Sequence, residues 1–281
     1  MLTLFERIVR RWRGRADPAD RPGRVRYTAV LEELHRTLEP GLYVEIGVRD
    51  GRSLRLARGR AIGIDPANAV SDPLPPLCSV VPATSDEFFA TMSAGLLSTP
   101  VDLAFIDGHH HFEYALRDFM NLERAAAPTG IIVFDDAFPN EPAQGERVRR
   151  TAIWMGDVWK IARILRDYRP DLTCLPVDVA TGGLLIVAGL DSRSTVLRNA
   201  YDEIVERFAA PPFHEVPHDV LARTGALDAG DSRIGLLAAR LRELRHGGDD
   251  PSLVHAAIVT ICERPSASQR PSGSAPSGRM S

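Results

Sequence analysis

The chain has 281 residues, of which 44% are hydrophobic and 25% are charged, and its formal net charge at pH 7 is −3. A chain of this length can bury a sizeable core, and one large domain with extensions fits it better than two equal domains. The nearly balanced charge gives no reason to expect nucleic acid as a partner. No stretch has the roughly 18 consecutive apolar residues that would predict a membrane-spanning helix.

The three cysteines, Cys78, Cys174 and Cys262, are far apart and form neither a CxxC pair nor a zinc-binding spacing. Isolated thiols of this kind are typical of a reducing compartment. We therefore expect a cytoplasmic protein.

The two ends of the chain differ in composition from the rest. Residues 1–26 are rich in arginine but lack the apolar run and cleavage site of a secretory signal. They predict a basic N-terminal arm, either a short amphipathic helix or a frayed segment, with weak contact to an anionic membrane as the alternative. From Arg264 to the last residue, serine, proline, glycine and arginine dominate, which predicts a disordered tail over residues 264–281.

Between residues 27 and 190, helical patterns alternate with short, continuously apolar runs. In chain order the patterns predict a helix at 27–38, a strand at 42–46, a helix at 52–58, strands at 61–64 and 79–82, a helix at 85–97, a strand at 101–106, a helix at 111–127, a strand at 130–134, a helix at 155–168, and a hairpin of strands at 172–177 and 183–187. Such alternation indicates a doubly wound α/β fold whose largely parallel sheet is covered on both faces. Residues 191–263 predict a helical extension, with helices near 194–209 and 232–245.

The loop after the first predicted strand contains two glycines that indicate a ligand site. It reads Glu45-Ile46-Gly47-Val48-Arg49-Asp50-Gly51, which differs from the G-x-G-x-x-G of dinucleotide-binding proteins and lacks the Lys-Ser/Thr of a P-loop. Gly47 and Gly51 would permit a tight turn and the close approach of a ligand to the backbone. The second strand ends at Asp65, where an acid can accept both hydroxyls of a ribose. Together these features favour a nucleoside site.

Three carboxylates follow two neighbouring strands. Asp107 ends the fourth predicted strand, and Asp135 and Asp136 end the fifth. Because both strand ends open into one cleft, the three like charges would converge, and a hard cation bound by oxygen ligands would resolve their repulsion. Turn-forming or helix-capping acids are the alternative reading.

A run of three histidines, His109 to His111, follows Asp107. Three consecutive side chains cannot all point one way, and no further spacing supports a zinc site. One histidine beside the acids is a candidate general base.

These segments together resemble a known family. The matching stretches are Val44 to Ser53, Gly63-Ile64-Asp65, Ile106 to His110, Arg117-Asp118-Phe119 and Gly130 to Asp136. They resemble class I S-adenosylmethionine-dependent methyltransferases, and most closely the methyltransferase domain 24 group, which is similar to metal-dependent O-methyltransferases that modify sugars in antibiotics. The resemblance covers residues 27–190 and implies a Rossmann-like sheet of seven strands.

The resemblance also implies roles for individual residues. Glu45, Gly47 and Gly51 would surround the methionine part of S-adenosylmethionine, Asp65 would hold its ribose, Ser85 would lie near the adenine, and Asp107 would lie beside the cofactor. The metal ligands would be Asp107, Asp135 and Asp136, holding Mg²⁺ or another hard divalent cation. His110 aligns with a histidine of the family pattern. His109 stands where the family has an aspartate, so the base is His110 or His109.

The resemblance therefore predicts metal-assisted O-methylation of a small-molecule hydroxyl, on a sugar or another natural product, by a chain that could form a homo-oligomer. Three alternatives stay open: a nicotinamide-dependent oxidoreductase on the same fold, a non-catalytic methyltransferase-like binding module, and hydroxylation at the metal site. The absence of G-x-G-x-x-G argues against the first. The complete set of acids argues against the second.

Overall fold

The computed structural model describes residues 25–248 and 250–262. The predictions of a basic arm and of a disordered tail therefore lie outside the described residues, apart from residues 25 and 26 of the arm.

One mixed sheet of eight strands organises the described residues. The strands are β1 (Leu42–Ile46), β2 (Arg60–Ile64), β3 (Cys78–Val81), β4 (Val101–Ile106), β5 (Ala126–Phe134), β6 (Thr173–Asp178), β7 (Leu184–Ala188) and β8 (Leu227–Asp228). Their order across the sheet is β3-β2-β1-β4-β5-β7-β6-β8. Strands β1 to β5 pair in parallel, β7 runs antiparallel to both β5 and β6, and β8 pairs in parallel with β6.

Helices cover both faces of the sheet. They are α1 (Tyr27–Leu38), α2 (residues 85–96, made of Ser85–Glu87, the π-helical Phe88–Met92 and Ser93–Leu96), α3 (Phe112–Ala125), α4 (Lys160–Tyr168), α5 (Val196–Asn199), α6 (Tyr201–Ala209), α7 (His218–Leu221), α8 (Ser232–Gly247) and α9 (Pro251–Cys262). Short 3₁₀ turns lie at Leu54–Leu56 and Pro142–Gly145. No helix in these ranges is both long enough and apolar enough to cross a bilayer.

The core has two layers because successive side chains of a strand point to opposite faces. In β5, Ile132 and Phe134 pack into the layer formed with α3, α4 and α6. Ile131 and Val133 pack into the opposite layer, formed with α1, α8 and α9. The continuous apolar runs that predicted buried strands are therefore explained by burial on both faces.

The order of the strands fixes where a ligand can bind. The chain moves outward from β1 to β2 and β3, but from β4 it moves the other way, to β5. The loops that follow β1 and β4 therefore diverge, and a crevice opens between them at the carboxyl ends of the strands.

The predicted doubly wound fold is confirmed, with local corrections. The sheet has eight strands where seven were expected, because the two-residue β8 adds to its edge without any apolar run in the sequence. The helix predicted over 52–58 is only the 3₁₀ turn Leu54–Leu56, since the chain must reach β2 at Arg60. The helix predicted from residue 155 begins at Lys160. Helix α9 was not predicted.

Candidate active site

Gly47 lies at the point where the loops after β1 and β4 come closest. Its φ is +89°, and a Cβ atom built there would lie 1.9 Å from the carbonyl oxygen of Asp107. A side chain at this position would therefore collide with backbone even without a ligand. The structure therefore requires a glycine here for a reason that does not depend on the predicted ligand. Gly51 has a φ of +77°, and a Cβ there would come within 3.1 Å of Val70.

Glu45 lies beneath this glycine loop and is fully buried. Its carboxylate accepts hydrogen bonds from the Tyr43 hydroxyl and the Ser53 hydroxyl, both at 2.7 Å. Burial raises the pKa of Glu45 to about 8, although these two hydrogen bonds oppose the shift and the nearby charge of Asp107 adds to it. Through its hydrogen bond with Ser53, Glu45 therefore connects β1 with the residues that follow the glycine loop.

Asp65 connects the loops that follow β1 and β2. Its Oδ2 accepts a hydrogen bond from the Arg49 backbone N–H at 2.8 Å, and its Oδ1 accepts one from the Ala67 N–H at 2.7 Å. Each carboxylate oxygen can accept a second bond. The predicted ribose-binding acid thus lies beside the glycine loop, as expected, and its orientation is fixed by backbone donors.

Ser85 begins α2, after an N-terminal capping box formed by Thr84 and Glu87. Its side chain hydrogen-bonds to Asp118 of α3, a carboxyl group that is 2% exposed. Burial raises the pKa of Asp118 to about 7, and the bond to Ser85 opposes that shift. Asp118 belonged to a segment that carried the family resemblance, but its pairing with Ser85 was not predicted.

Asp107, His110 and Asp136 form a compact cluster at the ends of β4 and β5. One ligand atom from each residue lies within 4.8 Å of the other two. The Nε2 atom of His110 is 3.6 Å from Asp107 Oδ1, and its Nδ1 atom is 3.1 Å from Asp136 Oδ2. The sequence predicted both acids at this position, and the structure brings His110 between them.

Asp135 is next to this cluster but differs from it in its contacts. It is 9% exposed, and its Oδ1 is buried without a hydrogen-bond partner among the described residues. Burial, together with the charges of Asp136 and Asp107, raises the pKa of Asp135 well above its usual range. A cavity of about 10 Å³, at the lower limit for one water molecule, lies among Asp135, Asp136, Asp107 and His110.

The acids also control the protonation of His110. Burial alone would lower the pKa of His110, but the hydrogen bond to Asp107 and the charges of Asp136 and Asp107 raise it to about 9. Conversely, burial and Asp107 raise the pKa of Asp136, while His110 lowers it. In the absence of another cation, His110 is therefore the positive partner of the cluster at neutral pH.

The segment before α4 holds the His110 ring in place. Nδ1 of His110 donates to the Trp154 carbonyl oxygen at 2.8 Å, and the two rings stack with centroids 5.3 Å apart. The Asp157 N–H donates to the His110 carbonyl at 3.1 Å. Gly156 has a φ of +58°, and a Cβ there would lie 1.7 Å from that carbonyl oxygen. This segment turns over His110, which explains why α4 starts later than predicted.

The other two histidines face elsewhere. His109 is exposed and stacks on Tyr114 at 4.3 Å between ring centroids. The Nε2 atom of His111 lies 3.0 Å from the Arg147 carbonyl oxygen. Because a carbonyl can only accept a hydrogen bond, Nε2 carries the proton and donates. Of the two predicted bases, only His110 faces the acids in this arrangement.

Two features at the site come from distant parts of the chain. Tyr27 of α1 stacks on Phe105 of β4. Burial raises the pKa of the Tyr27 phenol, and the charges of Asp135, Asp107 and Glu45 add to the shift. Gly182, between β6 and β7, contacts Asp136 so closely that a Cβ would lie 2.3 Å from Oδ1. The Gly182-Gly183 pair was visible in the sequence, but nothing there connected it with Asp136.

Comparison with known proteins places this site within a matched segment. The Methyltransf_24 family model, described as a methyltransferase domain, matches residues 44–137, which include the glycine loop and all the clustered acids. None of the curated proteins matches the chain significantly.

Three solved structures resemble parts of the chain. An O-methyltransferase of tomaymycin synthesis from Streptomyces achromogenes, in complex with S-adenosylmethionine, is 16% identical; the match covers 68% of this chain and 100% of that one, with a TM-score of 0.46. A Bacillus cereus O-methyltransferase in complex with S-adenosylhomocysteine is 16% identical, with coverages of 66% and 97% and a TM-score of 0.42. A Podospora anserina methyltransferase, bound to S-adenosylhomocysteine, is 15% identical, with coverages of 58% and 78% and a TM-score of 0.42.

The family match includes the glycine loop, Asp65 and the acids at the ends of β4 and β5. The sheet around them has the doubly wound order expected from the sequence. Together these findings show that residues 44–137, with the glycine loop and the clustered acids, match a methyltransferase domain on a doubly wound sheet.

Proposed function

We propose that the chain transfers a methyl group to a hydroxyl oxygen of a small molecule, a sugar or another natural product, with the help of a divalent cation. The observation that carries this proposal is the cluster of Asp107, Asp136 and His110 beside the loop of Gly47. The cluster lies in the crevice where the cofactor of a doubly wound fold binds, so an acceptor held there would face the methyl donor.

The chemistry of the cluster fits a hard cation such as Mg²⁺ or Mn²⁺. Burial and the charges of Asp136 and Asp107 raise the pKa of Asp135, and its Oδ1 atom is buried without a partner among the described residues. An unpaired buried carboxylate oxygen is costly, and a cation with oxygen ligands would remove that cost. Asp107, Asp135 and Asp136 would be the cation ligands, which leaves the Nε2 of His110 available for a proton.

The remaining cofactor contacts follow from the positions of the predicted residues. We assign the methionine part of S-adenosylmethionine to the loop of Gly47 and Gly51, above Glu45, and the ribose to Asp65. We assign the adenine to the region at the start of α2, where Ser85 hydrogen-bonds to Asp118 of α3. Asp107 would lie between the cofactor and the cation.

In the proposed reaction, S-adenosylmethionine supplies the methyl group, and a bound cation would lower the pKa of the acceptor hydroxyl. The protein residues hold the acceptor oxygen in line with the methyl carbon. His110 takes the hydroxyl proton at Nε2, because its Nδ1 is already committed to the Trp154 carbonyl. Asp107 and Asp136, which raise the pKa of His110, are also proposed cation ligands. A bound cation would offset their negative charge and lower the pKa of His110, so that Nε2 could accept a proton.

A combined chelation and mutagenesis experiment tests the metal. The acceptor is first found by screening sugar and phenol hydroxyls for methyl transfer with mass detection. We expect a chelator to stop turnover while the affinity for S-adenosylhomocysteine, measured by calorimetry, stays unchanged. Asp136→Ala should lower the rate by about 100-fold or more, the size typical of losing a group that stabilises developing charge. Added Mg²⁺ should restore the chelated wild type but not Asp136→Ala.

Asp72→Ala provides the control, because that side chain lies in the loop between β2 and β3, is 81% exposed and pairs with Arg55. It should behave like the wild type throughout. Full turnover in excess chelator would contradict the role of the cation and leave His110 as the base of a metal-free methyltransferase.

A further inference from the structure

We infer that Arg223, in the C-terminal part of the chain, is a positioning residue for Asp136. The inference rests on the proposed function, in which Asp136 is a cation ligand. Arg223 lies between α7 and β8, outside the residues 44–137 that match the family model. It acts through the loops that surround Asp136.

The guanidinium of Arg223 connects two loops at the carboxyl edge of the sheet. In the β6–β7 turn, it donates to Asp178 Oδ1 at 2.7 Å and to the carbonyls of Val179 and Thr181, both at 2.8 Å. In the loop after β5, it donates to the Phe138 carbonyl at 3.3 Å and to Asn140 Oδ1 at 2.8 Å. The loop after β5 is the one that begins with Asp135 and Asp136.

The two connected loops meet directly at Asp136. The Phe138 N–H donates to the Gly182 carbonyl at 2.5 Å. Gly182 approaches Asp136 so closely that its missing side chain is what leaves room for the carboxylate. Asp136 itself has a φ of +60°, a conformation that a non-glycine residue keeps only when its surroundings hold it. Fixing the β6–β7 turn against the loop after β5 therefore fixes the direction of the Asp136 side chain.

An arginine is required for this arrangement. The Arg223 side chain is only 4% exposed, and it satisfies five oxygen acceptors on two loops at once. The planar guanidinium fork can donate in several fixed directions, whereas a lysine ammonium is a compact point charge with three donors. Arg223→Lys would preserve the charge and lose part of the connection between the loops.

Arg169 offers a matched control. Its side chain is 2% exposed, and it binds Glu123 at 2.8 Å and Asp171 at 2.7 Å. It follows α4 and precedes β6, so it lies at the amino edge of the sheet, opposite the cluster. Arg169→Lys should disturb the fold in a similar way without affecting the loops around Asp136.

The experiment uses the full-length chain with S-adenosylhomocysteine and Mn²⁺ as probes. Calorimetry gives the Kd of each probe, thermal melting gives Tm, and hydrogen exchange with mass detection follows the amides of residues 136–140 and 178–183. We expect Arg223→Lys to weaken Mn²⁺ binding by about tenfold or more, as for other residues that orient a metal ligand. We also expect faster exchange in both segments and an S-adenosylhomocysteine Kd within about twofold of the wild type. Arg169→Lys should lower Tm but leave Mn²⁺ binding and both segments unchanged.

A folded Arg223→Lys with wild-type exchange at residues 136–140 overturns the inference. If that variant does not fold, Asn140→Ala decides, since it removes the Arg223 bond to the Asn140 side chain and the Asn140 bond to the Thr181 carbonyl while leaving the bond to the Phe138 carbonyl. Wild-type exchange at residues 136–140 in that variant again overturns the inference. If the wild type binds no Mn²⁺ but Arg223→Lys exchanges faster at residues 136–140, the metal proposal fails while the positioning of Asp136 by Arg223 stands.

Discussion

The ring of His35 in α1 is buried, and neither of its nitrogens has a hydrogen-bond partner among the residues that the structure describes. It packs edge-on against Tyr43, with ring centroids 4.5 Å apart. Burial and the charge of Arg58 lower the pKa of His35 from 6.5 to about 4. Because the folded pKa is below the unfolded one, the unfolded chain binds the proton first as the pH falls. His35 therefore takes stability away between about pH 6.5 and pH 4.

We expect His35→Leu to reduce this loss of stability in acid. Urea unfolding at pH 7.5 and at pH 5 should show a smaller difference in the free energy of unfolding for the variant than for the wild type. His246→Leu is the control, because His246 is exposed on α8 and should leave the pH dependence as it is. A wild-type pH dependence in His35→Leu would mean that other groups cause the loss.

At the scale of single residues, the sequence predicted positions better than contacts. Asp107 and Asp136 could be placed because the ends of adjacent parallel strands meet at one edge of the sheet. The roles of Asp135 and His110 within the cluster depend on the direction of each side chain at the end of its strand, and sequence spacing does not determine that direction. Trp154 and Arg223 could not be assigned at all, because their contacts with the site depend on loop conformations.

At the scale of elements, a buried ionic network joins α3, α4 and the segment that covers His110. Asp157 is 1% exposed and accepts hydrogen bonds from the Phe112 N–H, from Arg147 and from Lys160. Lys160 is also 1% exposed and has the Phe208 carbonyl as its other acceptor. Asp157 therefore caps the start of α3 and neutralises a buried cation.

We expect Asp157→Ala to lower the free energy of unfolding by about 3 kcal/mol or more, because Lys160 would remain buried without its carboxylate. The double variant Asp157→Ala/Lys160→Met should recover part of that loss, since no cation stays buried at position 160. Urea unfolding of the two variants measures the difference. Equal stability of the single and double variants would show that the buried lysine is not the cause.

The elements that the sequence predicted well are those with long apolar runs or a clear helical period. Strands β1 and β4 begin and end at the predicted residues, because burial on both faces makes most of their side chains apolar. Glu45 and Asp102 are the buried exceptions. Strand β8 has no such pattern, since two residues at the sheet edge pair only through the backbone of β6. Helix α9 has a signal in the sequence, because Asp250-Pro251 is a typical start of a helix.

At the scale of the whole molecule, the C-terminal helices belong to the core. Helix α9 buries Val254, Ile258 and Ile261 in the layer formed with α1 and α8. Three buried aliphatic side chains of this kind contribute about 5 kcal/mol together. That amount is comparable with the whole net stability of many domains.

We therefore expect a chain that ends at residue 250 to fail to fold, as judged by the loss of a cooperative thermal transition. A chain that ends at Glu263 should keep its Tm and its affinity for S-adenosylhomocysteine, since residues 264–281 offer no apolar pattern in the sequence. Comparing the two truncations separates the contribution of α9 from that of the tail. A stable, binding-competent chain ending at residue 250 would show that α9 is dispensable.

The pairing of α1 with α8 also has a consequence for how the protein is made. Helix α1 is the first described helix to leave the ribosome, and the backbone carbonyls at its end, Leu38 and Glu39, accept hydrogen bonds from Arg245 of α8. At about 5–20 residues per second, α8 follows tens of seconds later. Until α8 is made, the apolar side of α1 has no α8 to pack against. An incompletely translated chain therefore exposes apolar surface, which chaperones and proteases bind.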